Sequence, residues 1–296
     1  MFKKILCPID FSPGSQHAMR VAIRMATESD AELVLAHVWY LPPLAFADVS
    51  PYPAETVHQM IEDEKRGLAT AASGAAKLGA RRTTSRFLTG LPWEQIVDAV
   101  SADPAFDLVV MGTQGRTGLA RLLLGSVAEK VIRHAPCSVL AARARGGVMG
   151  FTHILCPIDF SESAHHAVER AAELATAGGA AITLLHVIEV PVTYSGEPPV
   201  RDFLQDIDNR STELIEQWAS DLRAKVSVPV TTRLRIGSPG AQTLAVIDDD
   251  PTFDLVVMGS HGRTGIRRVV LGSVAEKVVR HAACPVLVAR TRPLTT

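Results

Sequence analysis

The chain has 296 residues, more than one domain of about 100 to 150 residues usually needs and enough for two. Its 30 Lys and Arg nearly balance 31 Asp and Glu, so the formal net charge of -1 favours neither nucleic acid nor an anionic membrane as a partner. No apolar run approaches the roughly 20 residues of a membrane span, and the apolar start stops at Pro8, unlike a secretory signal. We therefore expect a cytoplasmic protein with no nucleic-acid or membrane partner.

The first half of the chain alternates predicted strands and helices. Lys4 to Ile9 is a short apolar run that predicts a strand, and Ser12 then caps a helix that has Pro13 at its first position. The elements that follow in chain order are strand 32–38, helix 55–78, strand 82–88, helix 92–100, strand 106–112, helix 126–134 and strand 138–142. Strands separated by crossover helices indicate a parallel sheet covered by helices on both faces.

The second half repeats the first. ILCPIDFS at 5–12 recurs unchanged at 154–161, and FDLVVMG at 106–112 recurs at 253–259. The offset is 149 residues early in the repeat and 147 late, with a short joint at 145–150. The sequence thus predicts two tandem doubly wound α/β domains, residues 1–145 and 150–296, that pack together.

The residues that follow the strands are the first candidates for a binding site. Open parallel sheets bind ligands outside the carboxyl ends of their strands, where the strand order reverses. In the first half these residues are Pro8, Ile9, Asp10, Val38, Met111 and Gly112. Their counterparts in the second half are Pro157, Ile158, Asp159, Val187, Met258 and Gly259.

A glycine-spaced loop follows the fourth strand of each half. The spacing is GxxG, nine residues and then GS, at Gly112, Gly115, Gly125 and Ser126, and again at Gly259, Gly262, Gly272 and Ser273. Because Gly112, Gly115 and Gly118 lack a Cβ, we expect that this loop can take left-handed dihedrals and bring its N–H groups near an anion. The helix that starts at each GS pair favours phosphate through its free N–H groups and its dipole. Arg116 and Arg263 either pair with phosphate or lie in solvent.

This spacing, with an aspartate ending the first strand, resembles the ATP-binding branch of the universal stress protein family in its tandem form. The resemblance covers the whole chain and implies five parallel strands per domain in the order 3-2-1-4-5. It implies ATP, or ADP or AMP, between the first and fourth strands, with magnesium beside the phosphates. By position it places the base against Pro8, Ile9 and Val38, the ribose near Asp10 and Gly112, and the phosphates on Gly115, Gly125, Ser126 and Val127. The matching second set is Pro157, Ile158, Asp159, Val187, Gly259, Gly262, Gly272, Ser273 and Val274.

Several residues have two interpretations. Asp10 and Asp159 either contact ribose or magnesium or cap the following turn. His134 and His281 end a helix, where a histidine favours the last carbonyls and the dipole. The four cysteines show no CxxC spacing, so buried thiols are favoured over redox sensing.

Two classes of function remain. One is an ATP-binding stress or regulatory protein whose nucleotide occupancy sets conformation or partner binding. The alternative is a slow ATPase or a phosphoryl or adenylyl transferase on the same fold. The sequence has no Walker lysine, paired carboxylates or nucleophile beside a base, so efficient catalysis is not expected. The apolar last strands, 138–142 and 285–290, are expected to pair across the two domains, and a homodimer remains an alternative.

Overall fold

The computed structural model describes residues 1–41, 53–113, 124–143, 149–189, 199–262 and 271–291, with only the backbone considered at 199–208. The strands of the first half are β1 Lys4–Pro8, β2 Glu32–Trp39, β3 Thr83–Thr89, β4 Leu108–Gly112 and β5 Ser138–Ala142. Those of the second half are β6 His153–Ile158, β7 Ala181–Ile188, β8 Val230–Ile236, β9 Leu255–Gly259 and β10 Val286–Ala289. The helices are α1 Pro13–Ser29, α2 Ala54–Lys77, α3 Pro92–Ala102, α4 Ser126–His134, α5 Glu162–Gly178, α6 Pro199–Arg223, α7 Pro239–Asp249 and α8 Ser273–His281. None of the helices in the described ranges is both long and apolar enough to cross a membrane.

The first helix of each half begins at a side-chain cap. Ser12 Oγ accepts a hydrogen bond from the N–H of Ser15 at 3.2 Å, and Pro13 occupies the first turn as predicted. Ser161 Oγ accepts from the N–H of Ala164 at 3.2 Å in the same way. These caps fix where the chain turns from the first strand into the helix, directly beside the predicted site.

All ten strands form one sheet, in the order β3-β2-β1-β4-β5-β10-β9-β6-β7-β8. Within each half the strands are parallel, so the predicted doubly wound fold with the order 3-2-1-4-5 is confirmed twice. Two apolar layers cover the sheet, one formed with α1, α2, α5 and α6 and the other with α3, α4, α7 and α8. Strand side chains alternate between the two layers, so Ile5 and Cys7 face one and Leu6 faces the other.

The two halves meet at their last strands. β10 pairs antiparallel to β5, with Val286 opposite Ala141 and Val288 opposite Val139, and these four side chains are buried. This is the contact that the apolar last strands predict, and it removes an open edge from each half. Residues 144–148 lie outside the described part, and the boundaries 1–145 and 150–296 stay a prediction.

Candidate functional site

A cavity of about 790 Å³ opens at the carboxyl edge of the second half. It is lined by all the predicted second-half residues that the structure describes: Pro157, Ile158, Asp159, Val187, Met258, Gly259, Gly262, Gly272, Ser273 and Val274. The cavity runs from the end of β9 and the start of α8, past the end of β6, to β7 and the side of α6. The sequence therefore identifies residues that surround one space, and their role in binding stays a prediction.

The start of α8 forms one end of the cavity, and α4 starts in the same way. Gly272 precedes α8 in an extended conformation without a side-chain cap, and its N–H donates to Ser260 O at 2.8 Å. Gly125 makes the matching bond to Thr113 O at 2.7 Å. The N–H groups of the first turn, beginning at Ser273, have no carbonyl partner within the helix. They form a site suited to an anion such as phosphate.

The glycines that end β4 and β9 are needed for close packing. A Cβ on Gly112 would lie 2.7 Å from the carbonyl carbon of Gly14, and a Cβ on Gly259 would lie 2.9 Å from the carbonyl of Ser163. Both neighbours belong to the first turn of the helix that follows the first strand. A side chain here would push that helix away from the sheet and widen the predicted site.

The prediction of a left-handed dihedral is wrong for Gly112, and Gly118 lies outside the described residues. Contact restricts Gly125, Gly262 and Gly272. A Cβ on Gly262 would lie 2.6 Å from Asp159 Oδ2, one on Gly272 would lie 3.3 Å from the Cα of His261, and one on Gly125 would lie 3.2 Å from Thr113 O. Gly115, Arg116 and Arg263 lie outside the described residues.

Asp10 and Asp159 cap the turn that follows the first strand of each half, and their contact with ribose or magnesium stays a prediction. Asp159 Oδ1 accepts from the N–H of Ser161 at 3.1 Å and from its Oγ at 2.6 Å, which is the turn-capping interpretation. Asp10 Oδ1 accepts from Ser12 in the same way, at 3.0 and 2.5 Å. The second oxygen of Asp159 lies toward Gly262 at the cavity. Among the described residues, no three His, Cys, Asp or Glu side chains are grouped so as to hold a metal ion.

A histidine and a phenylalanine hold the end of the first strand, and the sequence analysis does not identify them. His186 Nδ1 donates to the carbonyl of Ile158 at 2.9 Å, since a carbonyl oxygen can only accept. The ring of Phe160 lies 4.5 Å from that of His186, and its backbone is at φ +63°. His37 and Phe11 repeat the arrangement, with Phe11 also at φ +63°. The sequence offers one signal for this arrangement: the phenylalanine and the histidine recur at matching positions in the two copies.

Comparison with known proteins decides the family. The sequence model described as "Universal stress protein family" matches residues 1–143 and 150–290. The chain belongs to the universal stress protein family. A universal stress protein of Mycobacterium tuberculosis H37Rv is 30% identical over 308 residues, covering 94% of this chain and 98% of its own. One from Methanocaldococcus jannaschii is 39% identical over 151 residues, which cover 48% of this chain and 83% of that protein.

A solved structure supports the arrangement of the whole chain. The crystal structure of a universal stress protein from Archaeoglobus fulgidus aligns with a TM-score of 0.74 at 22% identity, covering 97% of this chain and 98% of its own. At that identity the likeness establishes the fold alone. It extends over both halves, so the tandem arrangement is itself shared.

The two halves of this universal stress protein differ on the side where the long second helix packs. In the first half His37 Nε2 is 2.7 Å from the Glu64 carboxylate. The residue 147 positions later is Ser211, which lines the second cavity together with Arg210 and Leu214. The first half therefore has the carboxylate of Glu64, bound to His37, on this side. The second half has the hydroxyl of Ser211 at the matching position.

The cysteines do not form part of the candidate site. All four are buried and none forms a disulfide, which confirms the buried-thiol interpretation. Burial raises the pKa of the Cys7 and Cys156 thiols to about 12, because a thiolate would lose its hydration inside the core. Such thiols are unreactive at physiological pH.

Proposed function

We propose that this universal stress protein binds an adenine nucleotide, ATP or its products ADP and AMP, in each half, and that occupancy tunes its conformation or its binding of a protein partner. The observation that carries the proposal is the single cavity lined by the predicted second-half residues at the start of α8. Family membership agrees with it. We expect the protein to act in the cytoplasm.

The polarity of the cavity supports one orientation of the nucleotide. Its anion-favouring end is the first turn of α8, where Gly272, Ser273 and Val274 would hold the phosphates. The other end carries the apolar side chains of Ile158 and Val187, which would contact the base, together with polar side chains such as Arg210 and Ser211. The ribose would lie between the two, against the end of β9.

Magnesium would accompany the phosphates and not occupy a site of its own. Mg²⁺ keeps several waters and is commonly bound by one or two carboxylates together with substrate phosphates. Asp159 and Asp10 are the side chains suited to that contribution, since each turns one oxygen to the backbone of its own turn. The ion would neutralise charge on the phosphates and so favour their approach to the carboxylate.

The described groups favour binding over turnover. Backbone N–H groups and a helix dipole attract phosphate in the ground state as strongly as later in the reaction, and uniform binding of that kind does not accelerate chemistry. We therefore expect steady-state phosphate release well below about 1 per second, the low end of ordinary enzymes. Faster turnover that disappears in the double variant Gly125→Val, Gly272→Val would instead identify the protein as an ATPase.

The direct test is to count nucleotide per chain. We expect up to two per chain, by chromatography of the denatured protein and by calorimetry with ATP and magnesium. Gly272→Val should abolish the second site only, because its side chain would enter the loop beside His261. The matched control is Gly74→Val, since a Cβ at Gly74 meets nothing within 4 Å. Absence of both retained nucleotide and ATP binding in the unaltered protein would reject the proposal.

A further inference from the structure

Arg290, the residue after β10, reaches from the second half to the end of α4 in the first. Its guanidinium donates to the carbonyls of Ile132 at 2.8 Å and Arg133 at 3.0 Å, and also to that of Ala135. The carbonyls of Ile132 and Arg133 lie in the last turn of α4, and that of Ala135 directly follows it, so none has an N–H partner within the helix. The second half thus supplies the side chain that satisfies the C-terminus of a helix in the first.

Arg143 makes the reciprocal contact. It follows β5 in the first half and is buried, and it donates to the carbonyls of Val279 at 2.5 Å and Arg280 at 2.9 Å in the last turn of α8. Burial lowers the pKa of both guanidiniums from their usual value, yet an arginine stays charged at any physiological pH. Each half therefore places a positive charge, buried in Arg143 and partly buried in Arg290, at the negative end of the other half's last helix.

Ion pairs join the same two helices. Arg133 is 3.5 Å from Glu276, and Arg280 is 3.3 Å from Glu129, so each pair links α4 to α8 across the junction. These side chains are about one-third exposed, so each pair alone contributes little to stability. Arg143 and Arg290 make the stronger constraint, because a planar guanidinium fixes direction through several donors at once.

The N-terminal ends of α4 and α8, opposite the ends that the arginines contact, form the phosphate end of the two candidate sites. Each helix has nine residues and is about 14 Å long, so its axis is set by few contacts. A shift at the C-terminus tilts the first-turn N–H groups at the other end. We propose that Arg290 is a positioning residue for the nucleotide site of the first half and that Arg143 is one for the site of the second half. This inference rests on the proposed function.

The predicted effect is crossed between the halves. Arg290→Met retains an unbranched side chain of similar length but removes the charge and the hydrogen-bond donors. It should weaken the first-half site by about three- to tenfold, an effect in the range of charges at helix ends, and leave the second-half site unchanged. Arg143→Met should do the reverse. ATP titrations in the Gly272→Val and Gly125→Val backgrounds isolate the first and second sites in turn.

The matched control is Arg223→Met. Arg223 also donates to a backbone carbonyl, that of Val230, through Nε at 3.1 Å and Nη2 at 3.0 Å, but the bonds stay within the second half and touch neither α4 nor α8. It should lower stability without changing affinity at the first-half site. Arg290→Lys, which retains the charge but has no planar fork, should restore only part of the affinity.

A second readout needs no nucleotide. Amide hydrogen exchange of the ligand-free protein should accelerate in α4 for Arg290→Met and in α8 for Arg143→Met. Three results would overturn the inference: an equal loss of ATP affinity at both sites, a loss of affinity only in the arginine's own half, or no loss of affinity at either site. If the unaltered protein binds no nucleotide, the proposed function fails, and a crossed exchange pattern would still show that each arginine positions the other half's helix.

Discussion

At the scale of single residues, the structure shows that Asp159 caps a turn, and we propose that its charge also serves magnesium. Oδ1 accepts two hydrogen bonds from Ser161, and the second oxygen lies toward Gly262. Asn keeps the acceptor and removes the charge, so Asp159→Asn should change the free energy of unfolding by less than about 0.5 kcal/mol and remove the magnesium-dependent part of ATP affinity. Asp159→Ala should also cost about 1 to 2 kcal/mol of stability. Urea unfolding and calorimetry with and without magnesium separate the two, and an equal stability loss in both variants would contradict this division.

The buried thiols give a second residue-scale prediction. Because the pKa of the Cys7 and Cys156 thiols is raised to about 12, the native protein should resist alkylation at pH 8 and react at all four cysteines only after unfolding. The folded state holds the thiol protons more tightly than the unfolded state. Stability should therefore fall as pH rises above about 9, where unfolded thiols ionise. Rapid labelling of either residue in the native protein would show that its strand opens.

Sequence reasoning identified Asp159 from its place after a strand but did not identify His186 or Phe160. A phenylalanine at φ +63° cannot be anticipated from residue type, since residues other than glycine rarely adopt that region. The histidine is held by a carbonyl from a different strand, and sequence shows neither the bond nor its direction.

At the scale of elements, Gly259 shows what periodicity predicts and what it does not. The buried run before it predicts β9, and the glycine end of that strand lines the cavity, while its role in binding stays a prediction. Glycine is needed at this position because the first turn of α5 lies over it. The sequence does not reveal how closely the strand and that helix approach each other.

A pair of glycine substitutions tests this packing. Gly259→Ala should destabilise the protein by about 1 to 3 kcal/mol, because the added methyl meets the backbone of Ser163 and α5 must move. Gly74→Ala, in the middle of α2 with open space around the new methyl, should stabilise by about 0.5 to 1 kcal/mol. Chemical denaturation of both variants measures the difference. A neutral Gly259→Ala would mean that the end of β9 and the start of α5 are less tightly packed than described.

At the scale of the whole molecule, the junction of β5 and β10 makes one sheet from two domains. We expect thermal unfolding in a single cooperative transition. Val288→Asp places a charge in a fully buried position opposite Val139, and should split the transition in two or lower the midpoint by many degrees. The control Ile236→Asp makes a similar change on the outer strand β8, where the side chain is 59% exposed, and should have a small effect. Calorimetric scans of both variants provide the measurement, and similar scans would argue against a joint core.

The same junction marks the limit of prediction from sequence. Apolar last strands predicted the strand pairing, because an unpaired apolar edge needs a partner. The sequence predicts that His134 and His281 favour the dipole and the last carbonyls of α4 and α8, and this role stays a prediction. It does not predict that Arg290 and Arg143 donate to carbonyls at the same helix ends. The arginines lie more than 130 residues away in the chain, so only the assembled fold brings them there.

The antiparallel pairing of β5 and β10 also determines the valency of the molecule. Reversing the direction of the strands at the centre places the carboxyl ends of the two halves on opposite edges of the sheet. The cavity of the second half therefore opens on one edge of the sheet, and the carboxyl ends of the first half lie on the other. If each half binds a nucleotide as proposed, the two sites face in opposite directions, and one chain could hold a partner at each edge.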